Sequence, residues 1–244
     1  MSSFSVEALR TRIFRPAEDL SAFVQECVPR DRVGDGLIVT VTSKIVSLAE
    51  GRMVSRSDHP NKETLVRQEA DEYLGAIGYG TFLTIKHGLL IPSAGIDESN
   101  AESGDYILFP SNPFASAQKL WCELMAAWDL KSLGVILSDS RTSPLRRGVT
   151  GVALAYWGFR AVRSLVGTPD LFGRELRMTR MNLADAMAAA AVMVMGEGRE
   201  RQPLALIRGA SVEFSVHTDP DEVRIPLDED LYAPLIRSFC PPSR

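Results

Sequence analysis

The sequence predicts a globular protein that contains both α-helices and β-strands. Short runs rich in apolar and β-branched residues, such as Leu37–Thr42 and 133–137, are bounded by turn-forming residues and are typical of buried strands. Longer stretches with apolar residues three or four positions apart, such as 18–27, are typical of amphipathic helices. A chain of 244 residues that is 45% hydrophobic can bury a substantial core, as one or two lobes.

Composition excludes several classes of function. A net charge of −4 provides no basic surface for nucleic acid and no attraction to anionic membranes. Three widely spaced cysteines do not form a disulfide framework and fit a reducing compartment. The N-terminus has no secretory signal pattern, and the longest nearly uncharged run, 183–195, is too short to span a bilayer. We therefore expect a soluble cytoplasmic protein with neither nucleic acid nor a membrane as its partner.

The first half of the chain has one candidate phosphate site. The strand Leu37–Thr42 leads directly into Ser43 and Lys44, whose hydroxyl and ammonium groups can contact phosphoryl oxygens. Alternatively, Ser43 caps the start of an exposed helix. The following residues 55–75 are strongly charged, with a helical pattern that extends to Leu74, and are expected to form a surface segment. The three histidines lack the spacing of a zinc motif.

Residues 86–100 are a second candidate site. An apolar run at 89–91 indicates the end of a buried strand, and Asp97 and Asn100 follow on a predicted loop. Asp97 is suited to bind a divalent cation, and the Asn100 amide can donate and accept hydrogen bonds. The alternative is a polar turn in which Asp97 bonds to the local backbone.

The predicted strand at 133–137 repeats this arrangement. It is expected to deliver Asp139, between two serines, to a loop, so that Asp97 and Asp139 could share a metal pair. The neighbouring Arg146 and Arg147 either hold anionic substrate oxygens or form a solvated surface. A helix opening at 111–116 is predicted between the two acidic segments.

The second half of the chain predicts a strand at 151–158 and a helix that Asn182 caps. This helix runs to Met195, and its many alanines favour the close approach of a neighbouring helix or subunit. Glu197 follows its C-terminal end, where the helix dipole disfavours an anion and a bound cation would stabilise it. Closing strands are predicted at 204–209 and 212–216.

Taken together, these segments resemble the coenzyme F420 γ-glutamyl ligase family. The matching blocks are Ser47-Leu-Ala-Glu-Gly-Arg, Ala94-Gly-Ile-Asp-Glu-Ser-Asn, Phe109-Pro-Ser-Asn-Pro-Phe-Ala-Ser-Ala, Ser138-Asp-Ser, Asp170-Leu-Phe-Gly-Arg-Glu-Leu and Met195-Gly-Glu, in order over about residues 9–209. The resemblance implies an α+β fold with mixed or antiparallel sheets and packed helices. It further implies one ligase-like unit over 1–238, followed by a tail at 239–244, with two lobes that form an intertwined homodimer.

The resemblance also implies the ligands and the residues that bind them. Two Mn²⁺ or Mg²⁺ ions would be held at the positions of Asp97, Asp139, Ser140 and Glu197. Nucleotide contacts would fall on Thr11, Arg12, Ile13, Phe14, Ser43, Asn100, Met195, Gly196 and Gly198. GTP would activate a carboxylate of a deazaflavin precursor as an acyl phosphate, and the amine of L-glutamate would displace phosphate to form an amide.

The sequence departs from the family pattern at two cationic positions. Leu48 stands where the family has a lysine, and the nearby Lys44 could take over the function of that lysine. Ser143 stands where the family has an arginine that could hold an acidic substrate. These changes leave three hypotheses: the family reaction, the same chemistry on a folate-like or pterin-like acceptor, and a catalytically silent relative that binds nucleotide.

Overall fold

The computed structural model describes residues 3–99 and 104–239, and in these ranges it has an α+β fold with mixed and antiparallel sheets. Its six α-helices are α1 Leu20–Cys27, α2 Ser43–Ala49, α3 Lys62–Glu69, α4 Pro113–Trp128, α5 Leu183–Met195 and α6 Ala233–Arg237. Its strands are β1 Ser5–Leu9, β2 Leu37–Thr42, β3 Met53–Val54, β4 Glu72–Gly78, β5 Thr81–Lys86, β6 Leu89–Pro92, β7 Tyr106–Ile107, β8 Leu133–Thr142, β9 Val149–Trp157, β10 Val162–Ser164, β11 Arg180–Asn182 and β12 Leu204–Arg208.

A five-stranded sheet forms the centre of the protein, in the order β1, β12, β2, β8 and β9. β2 and β8 are parallel, whereas the other neighbouring strands are antiparallel. The first five residues of β2 and the first six of β8 are buried. Both faces of these strands are therefore covered, which explains their nearly continuous apolar sequence.

Helices pack on both faces of this sheet. Val39 and Val41 of β2 belong to a core with α1, α2 and α4, whereas Ile38 points to the opposite face and packs in a core with α5. On that face, Gly151 of β9 allows a very close approach, since a Cβ atom there would lie 2.4 Å from the carbonyl oxygen of Ala188. The alanine-rich helix therefore packs closely as predicted, but against the sheet rather than against another helix or a subunit. Its predicted Asn182 cap is confirmed.

A smaller lobe contains the antiparallel sheet of β4, β5 and β6. Helix α3 contributes Leu65 and Val66 to its core, where they pack with Ile96, Tyr106 and Leu108. Residues 55–75 are therefore more than a surface segment, because part of this stretch supplies the core of the smaller lobe.

Three local expectations are wrong. Leu74 lies in β4 rather than in a helix, because the backbone becomes extended at Ala70 and the chain then pairs with β5. Residues 212–216 form no strand, since Phe214 makes only an isolated bridge to Phe159. Ser43 is not a helix cap, since it is the first residue of α2 and the cap position is Thr42.

β10 and β11 pair as an antiparallel ribbon that, with its connecting loop, we call the arm (residues 162–182). The loop is closed by backbone hydrogen bonds, including one from Leu165 N to Thr179 O at 2.9 Å. Its tip exposes Leu171 and Phe172, at 97% and 86% of their surfaces. Among the described helices, none combines the length and the apolar character needed to cross a lipid bilayer.

Candidate active-site cleft

A cleft of about 1220 Å³ lies at the carboxyl ends of the parallel strands β2 and β8. Thr42, which ends β2, and Ser138, its parallel partner on β8, both line it. Ligands commonly bind beyond the carboxyl ends of parallel strands. The cleft is larger than most small-molecule sites, which usually occupy about 300–1,000 Å³.

The residues predicted to bind nucleotide lie along one part of the cleft wall. The wall is held together by backbone hydrogen bonds to the loop after α5, from Thr11 N to Arg201 O at 2.9 Å and from Thr42 N to Pro203 O at 3.0 Å. Asn100, also predicted to bind nucleotide, lies outside the described residues. The cleft brings together Thr11, Arg12, Ile13, Phe14, Ser43, Met195, Gly196 and Gly198.

β8 continues through Ser138, Asp139 and Ser140, which the sequence placed on a loop. That expectation is wrong because antiparallel pairing with β9 extends well beyond the apolar run. The pairing register shifts between Leu137 and Ser138. Such irregularities redirect side chains, and here Asp139 and Ser140 both line the cleft.

The four predicted metal ligands reach the cleft from three parts of the chain. Asp97 follows β6, Asp139 and Ser140 lie on β8, and Glu197 follows α5. Carboxylate and hydroxyl oxygens are the donor types that Mg²⁺ and Mn²⁺ prefer.

Asp97 is engaged on both carboxylate oxygens. Oδ2 lies 2.5 Å from Nζ of Lys44, and Oδ1 accepts a hydrogen bond from Ser99 N at 2.6 Å. Burial raises the pKa of Asp97, but hydrogen bonding and charge from Lys44, with the Ser99 hydrogen bonds, outweigh burial and lower it overall. The predicted polar turn is therefore present, and Asp97 also faces the cleft with a cation beside it.

Asp139 has the opposite behaviour. Burial, assisted by the negative charges of Asp97 and Glu197, raises its pKa to about 7, while the Ser140 amide and Lys44 partly oppose the shift. Asp139, Asp97 and Glu197 therefore lie close enough for their charges to interact. A cation in the cleft would relieve the repulsion among these three acids.

The donor set fits a divalent cation in chemistry and in charge, but the carboxylates are not gathered into a preformed cage. Within residues 3–99 and 104–239, no group of three or more His, Cys, Asp or Glu side chains is close enough to hold a metal ion. The Lys44 ammonium instead supplies the positive charge beside Asp97.

Sequence reasoning did not single out Arg141, which lines the cleft two residues after Asp139. Its Nε atom is buried and has no hydrogen-bond partner among the described residues, a feature that only the structure reveals. Arg146 and Arg147, which were considered as anion-binding residues, are instead exposed near the turn between β8 and β9, and neither lines the cleft.

Leu48 also lines the cleft, one helical turn after Lys44 on α2. It is only 9% exposed and belongs to the main core. An aliphatic group therefore occupies the position where the family resemblance implies a lysine.

The fold and the cleft define an α+β protein with a large charged cavity of the kind that enzymes use for small-molecule substrates. The comparison with family models makes the assignment more specific. The chain belongs to the F420-0:gamma-glutamyl ligase family, whose model matches residues 8–209.

Individual relatives match over most of their length. The chain is 34% identical to the coenzyme F420:L-glutamate ligase of Methanocaldococcus jannaschii, covering 93% of this chain and 96% of that protein. It is also 34% identical to the coenzyme F420:L-glutamate ligase of Archaeoglobus fulgidus, covering 86% of this chain and 88% of that protein. The resemblance stated from the sequence motifs is confirmed.

Proposed function

We propose that this protein is a cytoplasmic, GTP-dependent and metal-dependent ligase that joins L-glutamate to a carboxylate of a deazaflavin precursor. The observation that carries the proposal is the convergence of three acidic segments and the 11–14 segment on one cleft, in a chain of the ligase family. The volume of the cleft is consistent with a nucleotide and a second substrate bound side by side.

The proposed reaction has two steps. An oxygen of the acceptor carboxylate attacks the γ-phosphorus of GTP, and the bond from this phosphorus to the β–γ bridging oxygen breaks. GDP is the leaving group, and the acceptor becomes an acyl phosphate. The amine nitrogen of glutamate then attacks the acyl carbon, loses a proton and displaces inorganic phosphate. No covalent bond to the protein is required.

The residues of the cleft have distinct roles in this scheme. Ser43 and Lys44 donate hydrogen bonds to phosphoryl oxygens, and positioning and electrostatic stabilisation of this kind are the main requirements of phosphoryl transfer. Asp97, Asp139, Ser140 and Glu197 would hold two divalent ions, which when bound supply positive charge against the nucleotide phosphates. Main-chain groups of the 11–14 segment border the nucleotide.

Calorimetric titration of GTP, with and without Mn²⁺, tests the nucleotide and metal requirements. We expect Mn²⁺-dependent binding in the wild type and its loss in Asp97→Ala. Asp58→Ala, which changes an exposed acid that does not line the cleft, is the matched control. Absence of Mn²⁺-dependent GTP binding in the wild type would refute the proposal.

Turnover with glutamate and paired acceptors then tests the substrate. We expect a product whose mass increases by one glutamyl residue from a deazaflavin acceptor. Product from a pterin-like acceptor alone would support the hypothesis that the same chemistry acts on a folate-like or pterin-like acceptor. The aliphatic side chain of Leu48, in place of the family lysine, motivates the hypothesis of a catalytically silent relative. GTP binding without turnover of either acceptor would support that hypothesis.

We also propose a homodimer, with the arm as part of the interface. The arm exposes several large apolar side chains, which monomeric proteins rarely group together: Val166, Leu171, Phe172, Met178 and Met181. Sedimentation velocity should show a dimer that Phe172→Asp dissociates. Tyr79→Asp, at a fully exposed residue between β4 and β5, should leave the dimer intact. A monomeric wild type would disprove the assignment.

A further inference from the structure

Arg141 has hydrogen-bonding capacity that the described protein does not use. It lies on β8 opposite Thr150 of β9, and it lines the cleft. Its side chain is 34% exposed, and its buried Nε has no hydrogen-bond partner. An arginine carries five N–H donors and stays charged at all physiological pH values. A buried donor without an acceptor is energetically unfavourable. A ligand that accepts a hydrogen bond from Arg141 therefore gains more binding free energy than the same ligand would gain from an arginine at a hydrated surface.

The acidic neighbour of Arg141 does not satisfy it. Asp185 Oδ2 lies 3.9 Å from the guanidinium, which is beyond hydrogen-bond distance. The Asp185 carboxylate already accepts hydrogen bonds from Ala153 N at 3.0 Å and from Asn182 Nδ2 at 2.9 Å. Asp185 therefore lowers the cost of burying the positive charge without occupying the arginine's donors.

Arg141 therefore offers the cleft a permanent positive charge and an unsatisfied donor. The planar guanidinium fork of an arginine matches the two oxygens of a carboxylate.

We propose that Arg141 forms a subsite that binds a carboxylate of L-glutamate. The identity of this ligand rests on the proposed function. In that reaction only the amine of glutamate forms a bond, so both of its carboxylates stay free to be held. A cation that holds one carboxylate would fix the amine relative to the acyl carbon, and Arg141 supplies this cation.

Direct binding of glutamate tests this subsite without requiring turnover. Glutamate is titrated into the protein saturated with Mn²⁺ and a non-hydrolysable GTP analogue. We expect Arg141→Gln to weaken glutamate binding at least tenfold and Arg141→Lys to weaken it less. Arg146→Gln, an exposed arginine in the β8–β9 connection, should have no effect. Binding of the GTP analogue should be unchanged in all three variants.

The outcomes separate this inference from the proposed function. Wild-type protein that does not bind glutamate, or Arg141→Gln protein that binds it normally, would overturn the subsite. A loss confined to the affinity for the acceptor would also overturn it, because the carboxylate bound would then belong to the acceptor. Glutamate binding that depends on Arg141 but leads to no product with any acceptor would support the subsite and refute the ligase activity. Unchanged melting temperatures would exclude a folding defect, and Arg141→Lys tests the guanidinium fork without changing any charge.

Discussion

Replacing Lys44 with methionine is expected to change the affinities for two ligands in opposite directions. The ammonium lies 2.5 Å from Asp97 Oδ2 and so competes with any cation for that carboxylate. Lys44→Met should therefore tighten binding of Mn²⁺ alone. The same ammonium is proposed to contact phosphoryl oxygens, so the variant should weaken binding of GTP in the presence of saturating Mn²⁺.

The magnitudes of the two effects differ. The Lys44 and Asp97 side chains are 26% and 30% exposed, and an ion pair with this much solvent contact contributes about 0.2–1 kcal/mol. Its removal should raise the Mn²⁺ affinity by no more than about fivefold. A charge-assisted hydrogen bond contributes about 1.5–3 kcal/mol, so the affinity for GTP should fall by roughly 10-fold to 150-fold.

Two titrations distinguish these effects. Mn²⁺ binding can be followed by electron paramagnetic resonance of the free ion, and GTP binding by calorimetry at saturating Mn²⁺. Lys119→Met removes an exposed lysine from α4 and controls for the change in net charge. The prediction is that Lys44 pairs with Asp97 in the free protein and with phosphoryl oxygens when GTP is bound. If both affinities rise or both fall in Lys44→Met, this prediction is wrong.

Three further changes test other parts of the structure. Gly95→Ala should destabilise the fold by about 1–3 kcal/mol, because Gly95 has φ +71° and a Cβ there would lie 2.2 Å from the Phe109 ring. The control in thermal unfolding is Gly34→Ala, where an added Cβ would meet no described residue within 4 Å apart from its chain neighbours, and equal melting temperatures would contradict the packing argument. Leu48→Lys should tighten GTP binding severalfold in calorimetry, since it adds a cation at a residue that lines the cleft, and weaker binding would contradict this. Burial lowers the pKa of His87 below its ordinary value of 6.5, so its contribution to stability is complete above that pH and is lost as the pH falls through the folded-state pKa. Denaturant unfolding at about pH 7 and about pH 5 should show a smaller acid-induced loss of stability in His87→Gln, and an unchanged loss would rule out this contribution.

Local sequence patterns predicted two kinds of element correctly: strands that are buried on both faces, and helices that are stabilised mainly by local interactions. The strand Leu37–Thr42 was predicted because both of its faces are apolar, and the helix after Asn182 because its cap and its composition agree. Leu74 was misassigned because its place in β4 depends on pairing with β5, which no spacing within 55–75 encodes. The same limit applied to Asp139, whose strand is extended by pairing with β9.

The candidate site was predicted less from patterns than from the family resemblance. Spacing alone did not decide whether Asp97 forms a polar turn or binds a metal ion. The structure shows the turn, with the Lys44 ammonium beside the Asp97 carboxylate. The interactions of Lys44 and Arg141 could not be derived from sequence, because each depends on how far a long side chain reaches across the folded cleft. Asn100 lies outside the described residues, so its proposed contact with the nucleotide stays a prediction.

The contact between Gly151 and Ala188 determines where part of the cleft wall lies. Ala188 and Met195 are separated by seven helical residues, or about 10 Å along the axis, and α5 joins them as one rigid rod. A side chain at position 151 would push the rod away from the sheet and displace Val192, Met195 and Glu197 with it. The width of the cleft is therefore determined partly by the absence of a side chain at Gly151, a residue that does not line the cleft. Substitutions along this helix–sheet contact would change substrate affinity while every residue lining the cavity stayed the same.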